Sequence, residues 1–78
     1  MNKARRKELE KVAQQLEEIQ AYLEELKEQE ESAYDNLPES IQYSERGDTM
    51  SECIDEMDTV CSDLEDVISN IYDITSTY

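Results

Sequence analysis

Histidine, tryptophan and phenylalanine are absent from these 78 residues, glycine and proline occur once each, at Gly47 and Pro38, and cysteine twice, at Cys53 and Cys61. Without histidine there is no imidazole to act as a base near neutral pH or to ligate a metal. The two cysteines lie eight residues apart within one helical pattern, which at a rise of ~1.5 Å per residue separates their Cα atoms by about 12 Å and forbids a bond between them. They lack CxxC spacing, so zinc and redox chemistry have no basis, and they fit a reduced, cytosolic setting. Neither has an adjacent basic residue to activate it as a nucleophile. The carboxylate pairs Glu17-Glu18 and Asp55-Glu56 would need a cleft to raise one pKa, and a two-helix rod offers none. Asp55, Asp58 and Asp63 lack the alternating ligands and sixth-position glycine of an EF-hand, which excludes calcium. The expectation is a protein that is not an enzyme and takes no cofactor and no metal.

Long apolar runs are missing too. No stretch approaches the ~20 apolar residues that cross a bilayer. The basic start, Met1 to Lys7, runs into Glu8, Leu9, Glu10 and Lys11 instead of an export signal's apolar core, and Asn2 stands where myristoylation needs glycine. A cytoplasmic protein is expected.

What is present in excess is negative charge. The net charge is −14 and it is uneven: the first eleven residues hold five basic side chains against two carboxylates, whereas the rest sets Lys27 and Arg46 against nineteen carboxylates. This balance argues against direct contact with nucleic acid or an anionic membrane and favours a protein partner with a basic surface. Such charge is also compatible with disorder, but the periodicity is not.

Apolar residues fall at Leu9, Val12, Leu16, Ile19, Leu23 and Leu26, alternating by three and four and continuing through Glu30 to Ala33 and Leu37. This is a heptad seam among good helix formers, and it predicts a first helix over about 2–35 that Pro38 stops by Leu37. Residues 36–44 have turn chemistry, with Asn36 and Glu39 spaced as a capping box for a short helical turn. A second helix, about 45–76, follows with Ser44 or Asp48 as cap and the seam Met50, Ile54, Met57, Cys61, Leu64, Ile68, Ile71, Thr75 and Tyr78. Gly47 falls on that seam, where a missing side chain lets the chain around Pro38 approach. The two seams close as one all-α domain over 1–78, a coiled-coil helical hairpin of two long antiparallel helices. Leu26 should lie near Met57, Leu23 near Cys61, Leu16 near Ile68 and Val12 near Ile71. The basic head then meets Asp73, the terminal carboxylate and the negative end of the second helix's dipole.

Three surface features carry the functional argument. A second apolar row, Cys53, Val60, Val67 and Ile74, flanks the seam of the second helix at heptad spacing. It is either an extension of the core beneath Ala13 and Tyr22, or the interface for a homodimer, which would make a four-helix bundle, or for another partner; a lone hairpin has few other ways to bury it. The carboxylates Glu45, Glu52, Asp55, Glu56, Asp58, Asp63, Glu65, Asp66 and Asp73 coat the second helix, and Glu10, Glu17, Glu18, Glu24, Glu25, Glu28 and Glu31 the first, as either a solubilising surface or a partner-binding one. Tyr34 and Tyr43 flank the turn, where a ring covers the end of the seam or anchors a partner.

The stretch Asn2 to Glu8, the turn Asp35 to Ser40 and the run Ser44-Glu45-Arg46-Gly47 together resemble a group of short acidic helical proteins carried by phages and mobile elements of Gram-positive bacteria. The resemblance spans most of the chain, with the turn its distinctive part. It implies an inhibitor of a host or immune nucleic-acid-binding protein, acting in the host cytoplasm as some anti-CRISPR proteins and DNA mimics do. The expected function is therefore an acidic protein-binding inhibitor that occupies a basic nucleic-acid-binding surface. The alternative, from a different class, is a structural or assembly coiled coil that acts by forming bundles.

Overall fold

In the computed structural model, which describes residues 1–77, three helices follow in order: α1 (Lys3–Asp35), α2 (Glu39–Gln42) and α3 (Glu45–Thr77). α1 and α3 lie antiparallel as a hairpin measuring 59 × 14 × 12 Å. Tyr78 and the terminal carboxylate, expected at the end of the seam and beside the basic head, lie outside the described residues.

The helix boundaries have local causes. Asn2 is extended (φ −76°, ψ 163°) and its Oδ1 accepts the Arg5 N–H at 2.8 Å, satisfying one of the free donors at the start of α1. No glycine or proline interrupts the next thirty-three residues. At the other end Asn36 closes α1, its N–H directed at the carbonyls of Ser32 and Tyr34. This corrects the expected capping box. Pro38, with φ −55° and ψ 145°, sits immediately before α2, and no side chain caps that helix. The ring's fixed φ suits the position before the first helical residue, and Asn36 is already committed to the turn that ends α1. Ser44 caps α3: its carbonyl accepts the Asp48 N–H at 3.0 Å and its Oγ lies 3.5 Å from the Gly47 nitrogen. Glu45 and Asp48 fall in the first turn of α3, where the positive end of the dipole favours them.

The turn is held by a close approach. Gly47 is buried, and a Cβ there would lie 2.6 Å from the Ile41 carbonyl oxygen and closer still to the Gln42 carbonyl. The segment that exploits the missing side chain is therefore the end of α2, not the chain around Pro38. Backbone carbonyls cannot swing aside as a side chain would.

Along α3 the buried positions are Gly47, Cys61, Ile68 and Thr75, with Ile54, Met57, Leu64 and Ile71 half-buried, as the heptad reading requires. The α1 seam differs. Leu9, Leu16 and Leu23 face α3, but Ala13 is fully buried (0% exposed) while Val12 is 43% exposed, and Gln20 is half-buried while Ile19 is 54% exposed. Tyr34 likewise turns inward and Ala33 outward. The leucine spine has an equally spaced row on either flank, and fit rather than hydrophobicity selects between them. Ala13 lets the backbones close, while Gln20 donates through Nε2 to the Cys61 carbonyl at 3.0 Å and Lys27 Nζ to Asp58 Oδ1 at 2.9 Å. These two bonds bracket Leu23 and set it opposite Cys61, the expected register.

Gly47→Ala should lower the unfolding free energy by about 1–3 kcal/mol, the usual cost of overpacking. Helix propensity alone would raise it by about 1 kcal/mol, so the sign of the change in a thermal melt followed by circular dichroism decides whether the contact with α2 governs the turn.

Candidate protein-binding surfaces

The rotation of α1 gives the hairpin two unlike sides. The bond from Lys27 to Asp58 and the neighbouring pair Tyr72 and Glu17 lie on one side of the spine. At heptad spacing, the rows through these residues bring Glu10, Glu17, Glu24 and Glu31 of α1 beside Asp58 and Glu65 of α3, with Asp55 in the adjoining row; all but Glu10 and Glu31 are exposed. Glu45, Glu52, Asp66 and Asp73 continue this surface over the back of α3 and are exposed. Asp63 is exposed as well but lies toward the other side, next to the row of Val60. The expected acidic set thus divides, and of the α1 carboxylates expected in it the facing flank places Glu10, Glu17, Glu24 and Glu31 beside those of α3.

Two of these acidic side chains are tied into the fold. Asp58 is engaged by Lys27, whose side chain is only 19% exposed, so it serves the hairpin before it serves any partner. The hydrogen bond that Lys27 donates to Asp58 is also the main reason that the Lys27 pKa is raised. The Tyr72 pKa is raised chiefly by its hydrogen bond to Glu17, then by burial and by the neighbouring charges of Glu17 and Glu10.

Near the turn the acidic side opens into a cleft of about 270 Å³ lined by Glu31, Tyr34, Asp35, Ser51, Ile54 and Asp55. Tyr34 is half-buried there, and its carbonyl accepts a hydrogen bond from Gln42 Nε2 at 3.0 Å. Tyr43, 78% exposed, is not part of the cleft, so the structure does not unite the two turn tyrosines in one site. Glu31 and Asp35, four residues apart on α1, were not singled out by the sequence as a pair. Their spacing around Tyr34 is visible there, but the arrival of Asp55 across from them depends on the register.

The opposite side is apolar. Val60 is 48% exposed, Val67 46% and Ile74 39%, and Cys53 is exposed. The α1 side chains that would cover this row as an extension of the core do not: Ala13 is turned into the core and Tyr22 is 64% exposed. Val12 and Ile19, displaced from the core, lie along the same side. Among the described residues no three Cys, Asp or Glu are grouped to hold a metal ion, and no helix is long and apolar enough to cross a membrane. No protein-family model, curated protein or solved structure matches the chain.

Lys27 and Tyr72 both hold their protons more tightly in the hairpin than in the unfolded chain. Their contributions are full below the unfolded value, about 10 for tyrosine, and are lost as pH rises through the raised folded values. The stability advantage of the wild type over Tyr72→Phe, measured by urea unfolding, should therefore be constant up to about pH 9 and vanish as pH rises beyond about 10.

Proposed function

We propose that this chain is an acidic protein-binding module that occupies a basic nucleic-acid-binding surface of its target and thereby inhibits it, in the manner of phage-borne inhibitors. The observation that carries this reading is the side-by-side placement of carboxylate rows from α1 and α3 along one side of a 59 Å rod. Within a row negative charge recurs about every 10 Å, and the neighbouring row fills the intervals. A groove lined with Lys and Arg that normally holds a phosphate backbone meets a comparable field, with no base edges to read. The cleft at Glu31, Asp35 and Asp55 suits a guanidinium, which pairs with carboxylates through its planar fork and packs on a ring such as that of Tyr34. A second reading, a structural or assembly coiled coil acting through homo- or hetero-bundles, is favoured by the other side, where Val60, Val67 and Ile74 stay exposed.

The test is affinity capture from bacterial lysate at about 50 mM and about 500 mM salt, a range over which the screening length falls several-fold. Captured proteins should be released by salt and by added double-stranded DNA. A variant with Glu24→Lys, Glu31→Lys and Asp55→Lys should keep its helical spectrum and capture none of them. Capture that ignores salt, DNA and the charge reversal would exclude the acidic side as the recognition surface.

A further inference from the structure

The exposed large apolar residues of the two long helices lie on a single side of the hairpin. The Lys27–Asp58 bond and the closeness of Tyr72 to Glu17 fix which flanks of α1 and α3 run together on the acidic side. In an antiparallel pair the remaining flanks then also run together. Val12, Ile19 and Leu26 of α1 therefore lie alongside Val60, Val67 and Ile74 of α3, with Met57, Leu64 and Ile71 half-buried between them. Sequence periodicity placed the α1 row inside the core and the α3 row outside it, so this common surface was not visible from either helix alone.

We propose that this side is the interface with a second copy of the same chain, so that two hairpins pack face to face as a four-helix bundle with their acidic sides outward. Three observations select a second copy. The first is burial: the apolar residues buried among those described are Ala13, Cys61 and Ile68, and none of the large side chains is fully buried. A chain of this length supplies too small a core alone, and a second layer is the usual remedy. The second is area: a face of 59 by 14 Å amounts to about 800 Å², the share each partner contributes to a standard stable interface.

The third is charge. Four heptad rows make up this side, running through Val12, Tyr22, Met57 and Val60, and of the 21 carboxylates in the chain only Glu8 falls in them, along with Arg5 and Arg46. A basic partner would find nothing here to pair with. Two copies at −14 each can meet here without setting rows of carboxylates against one another, an arrangement open to no other side of the rod. The remaining repulsion between the copies acts at longer range and is screened by salt, so association should tighten as salt is added. This inference does not rest on the proposed target, because the experiment uses the purified chain alone.

Light scattering coupled to size-exclusion chromatography over a micromolar to millimolar series should give twice the monomer mass of 9.1 kDa. The dimer should persist to lower concentration as salt rises. Val60→Lys with Val67→Lys should give the monomer mass, as should Ile19→Lys, which alters a position 54% exposed in the hairpin and should leave the helical spectrum of the monomer in place. Glu52→Lys with Asp66→Lys, on the back of α3, should leave the dimer intact. A wild type of monomer mass throughout the series overturns the proposal, and so does a dimer that survives both sets of lysine substitutions on the apolar side.

Discussion

The close contact of α1 with α3 at Ala13 governs the rest of this molecule. A two-helix hairpin buries one stripe of each helix, and the choice of stripe decides what every other row exposes. Because a small residue lies on one flank of the Leu9–Leu16–Leu23 spine, the backbones approach there and the bulkier Val12 and Ile19 are left outside. Gln20 and Lys27, on the same flank as Ala13, then reach α3 and satisfy polar groups at the edge of the contact. An alternative packing on Val12 and Ile19 would bury more carbon but would forfeit these bonds and hold the helices further apart.

The turn works under a related constraint. Two helices of thirty-three residues must reverse within a few positions, and the chain does so by setting the carbonyls that end α2 against the backbone of Gly47. The contact anchors the start of α3 one heptad before Ile54. Register is thereby fixed at the turn by backbone fit and further along by the Gln20 and Lys27 bonds, which leaves the apolar residues free to supply adhesion without having to specify alignment.

Electrostatics follow from the same geometry. At −14 the folded chain repels itself, and a rod relieves this better than a sphere because charges spread over its length. Lys27, placed between the helices, offsets the repulsion where the carboxylate rows of α1 and α3 come closest. Keeping the acids to one side and to the backs of both helices has a further effect: the remaining side stays nearly neutral in a strongly charged protein, and an apolar surface is worth most where no charge has to be desolvated to cover it. One hairpin thus presents two surfaces of opposite chemical character.

The sequence by itself determined that the chain is two long antiparallel helices, where they begin and end to within a residue or two, and which residues of α3 turn inward. Heptad spacing, Asn2, Ser44 and Pro38 are local signals that need no partner to be read. It also determined that Cys53 and Cys61 stay apart, since helical rise separates them wherever the helix packs. What only the tertiary structure decided is the flank that α1 presents. Rows three and four residues from each leucine are equivalent in spacing, and hydrophobicity favoured Val12 and Ile19, whereas the fit of Ala13 and the bonds made by Gln20 and Lys27 across the hairpin chose the other row. With that choice came the cleft of Glu31, Asp35 and Asp55 and the joining of two exposed apolar rows into one side, because residues distant along the chain become neighbours only through the contact between the helices.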